Sequence, residues 1–76
     1  MNRAKIGIVD DEAGMRDALV ALLTENQFDP VPMESSADFL LIRKSVDFDL
    51  VLIDLQLKGE SGLELAMDIR RNGDLP

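Results

Sequence analysis

A chain of 76 residues, 46% apolar and 30% charged, has room for one domain with a modest core and is too apolar for a disordered tail. Its formal net charge of −7, without a basic patch, Trp or Tyr, opposes binding to phosphate backbones. Without Cys or His it can form no disulfide, thiolate or imidazole metal site, His general base or phosphohistidine.

Lys5 to Val9, "KIGIV", reads as a short strand that runs into Asp10, Asp11 and Glu12. From Gly14 the period changes. Met15, Ala18, Leu19, Leu22 and Leu23 recur at helical spacing, and this helix is expected to stop near Asn26. In "FDPVPM", Pro30 and Pro32 each remove a backbone donor, which confines any strand there to a sheet edge. Ser35 and Asp38 form a capping signal for a short helix over Ala37 to Lys44, expected to bury Phe39, Leu40 and Ile42. Leu50 to Ile53, "LVLI", reads as a buried strand with Asp54 at its end. Ser61 and Glu64 make a second capping signal, and Leu63, Leu65, Ala66 and Ile69 continue as a helix. Arg70 and Arg71 suit its negative end, and Asn72-Gly73 supplies a stop. The three Phe are read as core. No apolar run approaches the roughly 18 residues of a membrane span. Acids follow the N-terminus too soon for a signal peptide, so a cytoplasmic location is the default expectation.

The order β-α-β-α-β-α implies an α/β fold with parallel strands joined by right-handed crossovers. The continuous run "LVLI" fits a strand covered on both faces. In such an open sheet, sites form beyond the carboxyl ends of the strands, where the strand order reverses. Asp10 and Asp11 close the first strand and Asp54 closes the third. If those strands are neighbours, three carboxylates meet, and a common site requires them within about a Debye length, ~8 Å. Crowded carboxylates repel one another, and a hard cation such as Mg²⁺, which prefers oxygen ligands, relieves the repulsion. Asp54 would then serve as a carboxylate nucleophile towards a phosphoryl group.

Each residue also has a plainer role. Asp10, Asp11 and Glu12 precede a helix and suit its capping, and Asp54 suits a solvated strand end. Lys58 suits a solvated loop, Ser61 a helix cap, and Gly59 and Gly62 turn geometry. Met15 is expected in the core, because thioether sulfur matches Mg²⁺ poorly.

Two stretches, "KIGIVDDE" and "LVLIDLQLKGESGLEL", resemble the receiver domain of two-component response regulators. The resemblance implies a flavodoxin-like, doubly wound parallel sheet, with order 2-1-3 for the strands present. It implies Asp54 as phosphoacceptor, and Mg²⁺ held by Asp10, Asp11, Asp54 and the main-chain carbonyl of Gln56. The implied partner is a histidine kinase or phosphotransfer protein, and the implied role is a signalling module rather than an enzyme. Many receivers carry Pro where Lys58 stands. The resemblance covers about three of five strand–helix units, so residues 1–76 read as a partial receiver domain. The Ser or Thr that ends a receiver's fourth strand and the Lys that ends its fifth have no counterpart, which predicts slow or absent phosphorylation of this segment. Residues Leu50 to Asp54 would then form an exposed edge, open to homo-oligomer formation, element swapping or completion by a further piece of the same parent protein. A rival role is an interaction segment that takes no phosphate. A dehalogenase-type phosphatase would need an acid where Gln56 stands, and a cobalamin-binding relative would need a His.

Overall fold

Strands and helices alternate in the computed structural model, which describes residues 3–57, 59 and 61–71. They are β1 (Lys5–Val9), α1 (Ala13–Glu25), β2 (Asp29–Met33), α2 (Ser36–Ile42), β3 (Leu50–Ile53) and α3 (Gly62–Arg71). Lys58 and the stop expected at Asn72-Gly73 lie outside the described residues. The sheet is parallel with order β2-β1-β3, so the first strand is central and the third is its neighbour. That is the flavodoxin-like order expected. No helix among the described residues is long and apolar enough to cross a membrane.

Local chemistry sets the boundaries. Glu12 caps α1, its carboxylate accepting from the Gly14 and Met15 amides at 3.0 and 2.8 Å. At the other end Asn26 Nδ2 donates to Leu22 O (2.8 Å), and Gln27 turns the chain with φ of 69°. Ser35 Oγ accepts from the Asp38 amide (3.3 Å), while Asp38 Oδ2 accepts from the Glu34 amide (3.2 Å) and closes the cap of α2. Ser61 Oγ accepts likewise from the Glu64 amide at 3.3 Å. The α2 helix starts at Ser36 and ends at Ile42, slightly short of the predicted span, because Arg43 already serves as its C-cap. Pro30 and Pro32 lie on the outer strand β2, opposite Ile6 and Ile8. The Asp29 amide donates inward to Ala4 O (2.9 Å), so alternation turns positions 30 and 32 outward, where a missing donor costs nothing. At the amino ends of the strands, Lys5 Nζ pairs with Asp29 Oδ2 at 2.8 Å. The hydrogen bond and charge of Asp29 raise the Lys5 pKa above its ordinary value, with Asp49 adding to the effect.

The two faces of the sheet are covered unequally. On one face, Val9, Met33, Phe39, Leu57, Leu65 and Ile69 form the core beneath α2 and α3, with Ile42, Phe48, Val51 and Ile53 packed against it. Phe39 and Phe48 stack with ring centroids 5.6 Å apart. Phe48 and Met33 fit because Gly7 leaves room: a Cβ there would lie 3.1 Å from Met33 Cε and 3.2 Å from the Phe48 ring. On the other face Ile6 and Ile8 are buried, yet no residue of α1 is. Met15, expected in the core, is 48% exposed, and Leu50 and Leu52 are 51% and 37% exposed. The strand read as covered on both faces is therefore covered on one. Leu40 and Phe28 are likewise more exposed than their apolar character suggested. Leu40 points off the face of α2 that carries buried Phe39, and Phe28 lies in the turn between Gln27 and β2.

Candidate functional site

Parallel pairing of β1 with β3 delivers two acidic ends to one lip. The Asp54 amide donates to Val9 O at 2.8 Å, continuing the β1–β3 ladder, and the Asp10 amide donates to Met33 O at 3.0 Å, continuing the pairing with β2. Each of these acids then turns its own chain away from the sheet. Asp10 Oδ1 accepts from the Glu12 amide (2.9 Å) and Asp54 Oδ1 accepts from the Gln56 amide (3.0 Å), the Asx-turn arrangement that short acids favour.

Asp10, Asp11 and Asp54 are half-buried, and one carboxylate oxygen from each lies within 4.8 Å of the others. That is well inside the ~8 Å limit set for a common site. An octahedral Mg²⁺ with bonds near 2.1 Å separates its ligands by roughly 3 to 4 Å, so this donor set fits a small hard cation after a slight contraction. Gln56 is exposed, two residues beyond Asp54, with its amide committed to that carboxylate. The Gly14 and Met15 amides of α1 are taken by the Glu12 carboxylate, which serves as the N-cap.

Two neighbours of the cluster carry roles that their residue types do not announce. Turn geometry explains Gly59, with φ of +76°, but not Gly62, which opens α3. A Cβ at position 62 would come 1.8 Å from the Asp54 carbonyl oxygen, so α3 starts against the main chain of the acid. Arg16 lies off the apolar stripe of α1. Its Nη1 donates to Asp10 O at 2.8 Å and its Nη2 stands 3.9 Å from Glu34 Oε2. The available signal was positional: Arg16 lies in the first turn of α1, six residues after Asp10. Beside the cluster, an open hollow of about 400 Å³ between α1 and β3 is walled by Met15, Leu19 and Leu52 and reaches Asp10 and Asp54.

A parallel sheet of order 2-1-3 with acids at adjacent carboxyl ends places the chain in the flavodoxin-like class of folds. Residues 6–76 match the response regulator receiver domain, and the chain belongs to that family. It is 35% identical over 72 residues to the transcriptional regulatory protein TdiR of Thauera aromatica, covering 95% of this chain and 32% of TdiR. Among solved structures it resembles response regulator TrrA of Thermotoga maritima in complex with Mg²⁺ and BeF, with 34% identity and a TM-score of 0.87. That match covers 95% of this chain and 64% of TrrA. It also resembles TrrA in complex with the histidine kinase ThkA, with 35% identity and a TM-score of 0.82, over 90% of this chain and 59% of the other. The chain spans a quarter to a third of the length of the curated relatives it matches.

Proposed function

We propose that residues 1–76 act as part of a receiver domain in the cytoplasm, with Asp54 as phosphoacceptor and a histidine kinase or phosphotransfer protein as donor. The observation that carries this reading is the meeting of Asp10, Asp11 and Asp54 oxygens within 4.8 Å, contributed by two separate segments of the chain. Asp10, Asp11 and Asp54, with the main-chain carbonyl of Gln56, would hold Mg²⁺. The relationship to TrrA, solved with Mg²⁺ and BeF and with a histidine kinase, supports both the ion and the partner.

When bound, Mg²⁺ supplies positive charge that screens the clustered carboxylates and the incoming phosphoryl oxygens. The chain's own atoms do the rest. The Gln56 amide holds Oδ1 of Asp54, which orients the carboxylate, and Oδ2 would be the attacking oxygen. That oxygen forms a bond to the phosphorus of the partner's phosphohistidine as the P–N bond breaks. The electron pair returns to the imidazole nitrogen, and Asp54 becomes an acyl phosphate. The module transfers a group once per signal and is not an enzyme in its own right. Incubation with acetyl phosphate and Mg²⁺ tests the reading: mass spectrometry is expected to find one added phosphoryl group on Asp54, lost in Asp54→Asn. Incorporation that survives Asp54→Asn contradicts it.

A further inference from the structure

We propose that Arg16 is a positioning residue for the acidic site: its guanidinium fixes the main chain at Asp10 and thereby the spacing of the carboxylates that take the cation. The inference rests on the metal-holding role proposed above for Asp10, Asp11 and Asp54.

The contacts form a closed circuit. Arg16 Nη1 donates to Asp10 O at 2.8 Å, and the Asp10 amide donates to Met33 O at 3.0 Å. Glu34 follows Met33 directly, and its Oε2 stands 3.9 Å from Arg16 Nη2. Both main-chain polar groups of Asp10 are thus held, one by β2 and one by α1. The circuit also has an anchor outside the site. The Glu34 amide donates to Asp38 Oδ2 at 3.2 Å, which ties it to the start of α2. Arg16 is the better buried partner, with a side chain 19% exposed against 69% for Glu34. A planar guanidinium has separate nitrogens for a carbonyl and a carboxylate, and a lysine ammonium cannot reproduce that fork.

Electrostatics gives this role a distinctive sign. Arg16 is a cation next to a site for a cation, so its field alone opposes Mg²⁺ binding, and removing it would tighten the ion. If the guanidinium instead holds the ligands in register, removing it loosens the ion despite the relief of charge. Outer-shell residues that orient metal ligands change affinity about tenfold or more when replaced.

The test is the Mg²⁺ dissociation constant of the full chain, read from amide NMR signals of residues 10, 11 and 54, for the wild type, Arg16→Gln, Arg16→Lys and Glu34→Gln. The expected result is an affinity weakened about tenfold in both Arg16 variants. A smaller loss is expected in Glu34→Gln, which keeps Arg16 and serves as the measurement if the Arg16 variants fail to fold. Unchanged or tighter binding in Arg16→Gln, wild-type affinity in Arg16→Lys, or unchanged affinity in Glu34→Gln each overturns the proposal. A wild type that does not bind Mg²⁺ defeats the metal-site reading itself, a result distinct from any of these.

Discussion

The two faces of one sheet differ in a way that sorts the molecule into an anchor and an open flank. Beneath α2 and α3, Phe39 is 1% exposed and Val9 is fully buried, and the same layer reaches Leu57 beyond the site. On the α1 face, Leu22 is 55% exposed and Leu52 is 37% exposed, so apolar side chains lie in register with little above them. The acids stand at the lip where these faces meet. Their geometry is held from the closed side, by Gly62 against the Asp54 carbonyl, and from the α1 side by polar contacts: the Glu12 cap and the Arg16 bond. A poorly covered helix can still position a site when directional hydrogen bonds, rather than burial, fix its N-terminal turn.

The sharpest way to break this comparison is to truncate one side chain on each face. Phe39→Ala leaves a cavity in the closed core and is expected to cost about 3–5 kcal/mol in urea unfolding, most of the stability of so small a domain. A next step is Gly62→Ala. Its methyl would meet backbone, which cannot rotate away, so a cost of about 3 kcal/mol is expected, with displaced amide signals at Asp54 and Leu55. On the open flank, Leu52→Ala removes carbons that are already partly in water and should cost about 1 kcal/mol. If Leu52→Ala costs as much as Phe39→Ala, the flank is covered in solution and the contrast fails.

The smallest effect lies at the far end of the sheet. Asp29 raises the pKa of Lys5 above its unfolded value, so the attraction stabilises the fold fully below that unfolded value. It is lost as pH rises through the raised folded value. Thermal melts should therefore fall slightly in strongly alkaline solution, and Lys5→Met should remove that component of the fall.

The contrast between the faces also marks what the sequence could reveal. Strand and cap signals are local, so "KIGIV", "LVLI" and the Ser35 and Ser61 caps appear where their chemistry requires. Pro30 and Pro32 announce an edge because a lost donor is a property of the residue itself. The meeting of Asp10 and Asp54 needed one further fact, that the first and third strands are neighbours, and the family resemblance supplied the strand order. Coverage was not legible. Helical spacing says that Met15, Leu19 and Leu22 share a side, but not that anything packs on it. Gly62 and Arg16 were missed for a related reason. A glycine between capping residues looks like a turn, and a charged residue off the stripe looks solvated, until tertiary contacts give each a partner.

The most direct measurement is a Mg²⁺ titration followed by amide NMR across the whole chain. Signals at residues 10, 11, 54 and 56 are expected to move together along one binding curve in the millimolar range, while those of Lys5 and Asp29 stay still. Asp54→Asn should weaken the curve at residues 10 and 11 as well as at 54. Independent curves for the two segments, or no response at any of the four positions, would contradict a shared ion site.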